Sequence, residues 1–220
     1  VTALGARAID AKPSAAAGRD GRSAGDVRLV RSGRWVRLDP LHAGHLDFLY
    51  SLCADERIGP RWRYGGTIPT AEQFRQNLWN GVLCQFVVVE RATDALVGHV
   101  QAYNADLNSG VGYLALALCD QAASTGLGIE AGYLFCAYAF SVYALRKLYL
   151  EIPEFNLGQV ASLAGSIARE EGCLRDHVYL GGRYWDRHIL SLRREDFVGR
   201  SFGDLREQWR AASVAAPPST

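Results

Sequence analysis

The sequence has no apolar run of about 18 residues, so a membrane-spanning helix is not expected. Its first residues lack the apolar core of a secretory signal, and the chain is read as cytoplasmic. There is no C-x-x-C pair, and no histidine stands at metal-ligand spacing from the scattered Cys53, Cys84, Cys119, Cys136 and Cys173. That excludes a zinc site of the usual spacing and suits reduced thiols rather than a disulfide framework, so no metal is expected. Net charge is also scarce. A formal +1 removes the electrostatic reason to expect nucleic acid or an anionic membrane as a partner.

What is present fits one domain with a substantial core: 220 residues, of which 49% are hydrophobic. Residues 1–26 are rich in Ala, Gly, Ser, Arg and Asp without hydrophobic period. They cannot bury enough surface to offset the entropy of ordering, and a flexible arm is expected before a domain over 27–200. The arm resembles a transit peptide only weakly. Residues 201–220 are expected to hold a short helix and a tail rich in Ala, Pro and Ser.

Inside the domain the periods alternate. The segment 35-WVRLDPL-41 reads as a strand and 42–53 as a helix with Leu46, Leu49 and Tyr50 on one face. Thr70 followed by Gln73 is a capping box opening a second helix over 70–81. Runs at 85–90, 96–104 and 111–119 form an antiparallel meander. Ile129, Tyr133, Cys136, Phe140 and Tyr143 then mark a helix. A strand over 147–152 follows, and 157–172 carries a second apolar helical stripe. The pair Gly181-Gly182 suits a type I′ turn, which would set Tyr179 opposite Tyr184, Val178 opposite Trp185, His177 opposite Asp186 and Asp176 opposite Arg187. The hairpin aromatics either cover the core or pack on a second subunit as a homodimer.

The stretch 124-STGLGIEA-131 has two readings. As G-x-G-x-x-A it matches a dinucleotide fingerprint, and Glu151 lies at the distance expected of the ribose-binding acid. The context does not fit, because a polar loop precedes Gly126 and the strand before it belongs to a meander. As a glycine turn opening a helix it offers backbone N–H groups and a positive dipole end to a pyrophosphate.

The order strand, two helices, meander, glycine turn, helix, strand, helix and hairpin resembles the GNAT superfamily of acyl-CoA N-acyltransferases over residues 30–197. The family motif Q/R-x-x-G-x-G/A meets 123-ASTGLG-128, with Ala123 where Gln or Arg is usual. That difference removes a side-chain contact and leaves the backbone cradle. The runs 111-VGYLALAL-118, 126-GLGIEA-131 and 144-ALRKLYLEIPEFN-156 look most like the branch of ribosomal-protein alanine and spermidine acetyltransferases. The resemblance implies a mixed α/β (α+β) fold, with a mostly antiparallel twisted sheet flanked by helices and a splayed central strand pair. It implies acetyl-CoA, or another acyl-CoA, as cosubstrate. The backbone of Leu116, Ala117 and Leu118 would pair with pantetheine. The N–H groups of Ser124, Thr125, Gly126, Leu127 and Gly128 would hold the pyrophosphate. Asn156 would either contact the coenzyme or cap a helix.

For direct acyl transfer to an amine, Glu151 is the candidate base and no cysteine need be a nucleophile. The resemblance places a Tyr as acid four residues before the closing Gly of the helix after Asn156. Counted back from Gly172, that place is Ala168, so water or another hydroxyl, that of Tyr113, Tyr149 or Ser162, would have to serve. His99 and His177 are read as structural or surface groups. Arg61, Arg63 and Tyr64, within 57-RIGPRWRYGGTIPT-70, are candidates for holding the acceptor, with the hairpin turn at the same entry. A protein N-terminus or peptide amine is the favoured acceptor, since no acidic cluster suited to a polyamine stands out. A small amine such as a polyamine or antibiotic is the second reading, and a catalytically silent acyl-CoA sensor the third.

Overall fold

The near-continuous apolar runs of the meander let its strands be covered on both faces, and a seven-stranded sheet grows from it. In a computed structural model, which describes residues 31–123, 126–160, 167–198, 201–204 and 207, the strands are β1 (Val36–Pro40), β2 (Val82–Glu90), β3 (Leu96–Asp106), β4 (Val111–Leu118), β5 (Lys147–Pro153), β6 (Ala168–Leu180) and β7 (Arg183–Arg193). Their order is β1-β2-β3-β4-β5-β7-β6, antiparallel except for the β4–β5 pair. The helices are α1 (Leu46–Ala54), α2 (Ala71–Asn77), α3 (Asp120–Ala123), α4 (Leu127–Val142) and α5 (Leu157–Val160). Among the described residues no helix is long and apolar enough to cross a membrane. The arm at 1–26 lies outside them, as does nearly all of the chain beyond 204.

Each face of the sheet has its own core. Val88, Val100, Ala102, Leu114 and Leu148 pack with Leu134, Phe135 and Phe140 of α4 on one side. Val87, Val89 and Ala117 pack with Leu49, Leu52, Trp62 and Phe74 around α1 and α2 on the other. The capping box at Thr70 and Gln73 is formed in both directions, and α2 runs only to Asn77.

One buried charge ties the α4 layer to the start of β1. The Glu130 carboxylate, 1% exposed, accepts backbone N–H bonds from Arg34 (2.7 Å), Trp35 (2.8 Å) and Val36 (2.9 Å). Bonds to a charged acceptor contribute about 1.5–3 kcal/mol each, so this side chain fixes how the chain enters the sheet. Of the stripe read from sequence, Cys136 and Phe140 are buried while Ile129, Tyr133 and Tyr143 are half-buried, and the buried face of α4 runs through Leu127, Ala131, Leu134, Phe135 and Ala139.

Two expectations are corrected. The helix expected over 157–172 does not extend that far. Among described residues α5 ends at Val160, and Ala168 to Gly172 belong to β6, so counting an acid back from Gly172 loses its basis. Residues 161–166, with Ser162, lie outside the described set. The hairpin turn forms as expected, with φ of 63° at Gly181 and 82° at Gly182, and Val178↔Trp185 and Tyr179↔Tyr184 pair. A bulge then intervenes and brings Arg187 opposite Leu174, so the His177–Asp186 and Asp176–Arg187 pairings do not form. Asp186 instead accepts the Asp176 N–H at 3.0 Å and pairs with Arg175.

Candidate active site

Strands β4 and β5 pair only at Val111↔Lys147, Gly112↔Leu148 and Tyr113↔Tyr149, and beyond those residues they part. A cavity of about 560 Å³ opens there, walled by Leu114–Leu118 of β4 and Leu150–Pro153 of β5. On the α4 side it meets Gly126, Gly128, Ile129 and Tyr133, with Phe197 and Phe202 beside them. On the opposite side it meets Trp62, Arg63, Tyr103 and Arg187.

Backbone alternation decides which β4 groups face the gap. The Cys119 N–H donates to Val97 O at 2.9 Å, so odd-numbered residues turn their peptide groups to β3. Leu114, Leu116 and Leu118 therefore present theirs to the gap. Ala117, expected to pair with pantetheine, directs its backbone to His99 on β3 instead.

Gly126 precedes α4 in the left-handed region, φ 80° and ψ −2°, and a Cβ there would meet nothing within 4 Å. Glycine takes that conformation without cost and leaves open space before the helix N-terminus, where first-turn N–H groups have no helical acceptor. Leu127 buries its side chain in the core, leaving only its backbone for a ligand. At Gly128 a Cβ would come 2.7 Å from Leu118 Cδ1, so a side chain there would push the end of that leucine aside. Ser124 and Thr125 lie outside the described residues. Asn156 is 9% exposed and lines the cavity; its buried Oδ1 has no hydrogen-bond partner among the described residues. An orphaned carbonyl, a free strand edge and an open helix N-terminus around one cavity fit the amides and pyrophosphate of coenzyme A.

The other side of the gap gathers the charged groups. Glu151 lines the cavity with its side chain 29% exposed and accepts from Arg187 Nη1 at 3.1 Å. Arg63 donates to Gln101 Oε1 (2.8 Å) and Asn80 O (3.2 Å) and lies over the rings of Tyr64 and Tyr103. Burial, then the nearby Glu151 charge, pushes the Tyr103 hydroxyl up to about 12, so it carries its proton at neutral pH.

Two candidates move out of the site and one enters. Tyr113 stacks between Tyr103 and Tyr149, each 5.7 Å away, but does not line the cavity, whereas Tyr103 does. Tyr64 packs on Trp62 and Phe74 with its hydroxyl buried and unpartnered, so it serves the core under the loop rather than an acceptor. The sequence already set Tyr103 in alternation with Gln101 and His99, but the register that brings it toward Glu151 and Arg187 involves strands distant in the chain.

The remaining candidates are structural. His99 is fully buried, bonds to Gln85 Oε1 through Nε2 at 2.9 Å and lies under Trp62. Burial raises the thiols of Cys53, Cys84 and Cys136, with Cys84 pushed up to about 11, and holds them protonated. Arg61 is exposed at the cavity edge and also lines a shallower depression of about 330 Å³ with Phe155, Gly181 and Trp185. The loop after α1 and the hairpin turn thus meet, as expected. Trp185 meets Phe155 edge-on with ring centroids 5.3 Å apart, while Tyr179 and Tyr184 remain exposed.

Comparison with known proteins gives the same architecture. A family model described as an acetyltransferase (GNAT) domain matches residues 36–164. A spermidine N-acetyltransferase from Vibrio cholerae, in complex with CoA and spermine, superimposes with a TM-score of 0.66 at 20% identity, covering 75% of this chain and 99% of that one. A chimera of the Vibrio cholerae enzyme SpeG and hSSAT gives 0.65 at 19% identity, over 76% of this chain and 100% of the other. No curated protein matches the chain.

Proposed function

The chain belongs to the GNAT acetyltransferase family, and from that premise we propose that it transfers an acetyl group from acetyl-CoA to the primary amine of a small molecule. Acetyl-CoA supplies the activated acyl group. The chain has to hold it, take a proton from the amine and supply one to the departing sulfur. The observation that carries the reading is the parting of β4 and β5 beyond Tyr113 and Tyr149, with a coenzyme-suited wall on one side and Glu151 on the other.

In this reading the peptide groups of Leu116 and Leu118, the turn at Gly126–Gly128 and Asn156 hold the coenzyme. Glu151 accepts the amine proton, and its pairing with Arg187 fixes the carboxylate in place. Tyr103 replaces Tyr113 as proton donor, because it lines the cavity and is protonated at neutral pH. A small amine takes precedence over a protein N-terminus because Trp62, Arg63, Tyr103 and Arg187 wall the acceptor side, and because a neighbour in fold was captured with spermine. The depression running from Arg61 toward Trp185 supports a peptide amine as second reading, since it would seat the residues behind a terminal one. Five free cysteines, three of them buried, suit a cytoplasmic setting.

Incubated with acetyl-CoA and a panel of small amines, the full chain is expected to release free CoA and form N-acetylated product with at least one of them. CoA binding without turnover of any small or peptide amine would instead support the silent sensor suggested by Ala123.

A further inference from the structure

We infer that the acceptor amine carries an anionic group, a carboxylate or a phosphate, which Arg61 and Arg63 hold while the amine faces Glu151. This rests on the acetyltransferase reading above and narrows its substrate class. Among the described residues the charged groups lining the gap are Arg57, Arg61, Arg63 and Arg187 against Asp120 and Glu151. Two of the arginines are neutralised, Arg57 by Asp120 at 3.0 Å and Arg187 by Glu151 at 3.1 Å. The Arg61 side chain has no ion-pair or hydrogen-bond partner among the described residues, its backbone N–H alone donating to Ile58 O at 2.9 Å. Arg63 has only neutral partners, the Gln101 amide and the Asn80 carbonyl. Two guanidinium charges are therefore left over on the acceptor side, and both carboxylates are already engaged.

A polyamine would bring further positive charge to such a wall and find, among the described residues lining the gap, no unpaired carboxylate; Glu56 lines only the neighbouring depression. An anionic group meets the opposite situation. Arg63 is fixed by its two hydrogen bonds and two tyrosine rings, and the rest of its planar donor fork remains for a ligand's oxygens. Its charge is felt across the site, adding to burial in lowering His99 and opposing the effect of burial on Tyr103. Arg61 stands where the gap and the neighbouring depression join, at the entry of anything reaching Glu151.

The test uses matched probes with the full chain and acetyl-CoA: a dipeptide and its C-terminal amide, phosphoethanolamine and ethanolamine, and spermidine. Turnover is read by CoA release, and binding of the same probes to the CoA-saturated protein is read by calorimetry. In either readout the anionic member of at least one pair is expected to exceed its neutral counterpart about tenfold or more, as one charge-assisted contact implies. Which pair responds separates carboxylate from phosphate. Arg63→Ala should shrink that ratio about 10–100-fold, chiefly through KM. Arg61→Ala, at an exposed position, gives the same reading if the Arg63 variant does not fold. Equal use of charged and neutral members, preference for spermidine, or binding of none of the anionic probes overturns the inference. The first two outcomes leave acetyl transfer standing. Absence of turnover with any amine counts against the acetyltransferase reading, and the binding ratio still decides the question of charge.

Discussion

Replacing Glu151 with Gln is expected to lower turnover about 10²–10⁴-fold while CoA affinity stays nearly intact. The substitution keeps the side chain's size and an oxygen for Arg187 Nη1, which now lies 3.1 Å from the carboxylate. What it removes is the ability to take a proton. Because Glu151 sits on the wall opposite the groups assigned to the coenzyme, the loss should fall on kcat more than on KM for acetyl-CoA. Steady-state kinetics with the best amine, together with CoA calorimetry on the variant, separates these terms. Turnover within about threefold of the parent would remove Glu151 as the base and leave the Arg187 pair as a purely structural contact.

A second large effect is expected from acid. His99 is buried completely, and burial, assisted by the Arg63 charge, lowers it from 6.5 to about 3. The unfolded chain therefore binds a proton that the folded chain refuses between these values. Stability is complete above pH 6.5 and falls as the pH drops, by about 1.4 kcal/mol per unit and by about 5 kcal/mol in all near pH 3. His45, lowered by its own burial, acts in the same direction, so the contribution of His99 is read by difference. Urea unfolding at pH 6.5 and pH 5, above the range of most carboxylates, should show the parent losing about 2 kcal/mol more than His99→Gln, which retains a donor for Gln85. Equal losses in the two proteins would mean that His99 becomes protonated without unfolding.

Much of this architecture could be read from period and punctuation. The meander strands read as near-continuous apolar runs because a core lies under each face, the Thr70–Gln73 box announces α2, and the glycine pair sets the hairpin turn. The error at 157–172 has a physical origin. Strand β6 is an edge strand exposed along most of its length, so its first residues show no alternation of two. The Ala, Leu and Ile residues before it then extend an apparent helical stripe. The bulge at 175–177 was equally invisible, because Asp186 offers its carboxylate to the Asp176 backbone rather than to the imidazole expected opposite it.

The coenzyme side of the site was more legible than the acceptor side. Gly126, Gly128 and Asn156 stand at a turn, a helix start and just past a strand end, where residue type reports conformation. On the other side Arg63, Tyr103, Glu151 and Arg187 come from a loop and three strands, and only the strand order brings them together. Tyr103 was therefore missed and Tyr113 chosen, although the two are cross-strand partners. Glu130 escaped notice for another reason. It stands in an otherwise apolar helix, and the three N–H groups it serves are some 95 residues away in sequence.

The claim on which everything else depends is that coenzyme A occupies the gap with its pyrophosphate at the start of α4. The most direct measurement is calorimetric titration of CoA into the parent and into Gly126→Asp. This position is better suited than Gly128, where any side chain would press on Leu118. A Cβ at 126 meets nothing within 4 Å, and Asp is among the few residues that tolerate the left-handed conformation found there. The fold should survive, which circular dichroism will show, while the new carboxylate faces the pyrophosphate. The parent is expected to bind CoA and the variant to bind it at least about tenfold more weakly. A folded variant that binds CoA as tightly as the parent would contradict the account.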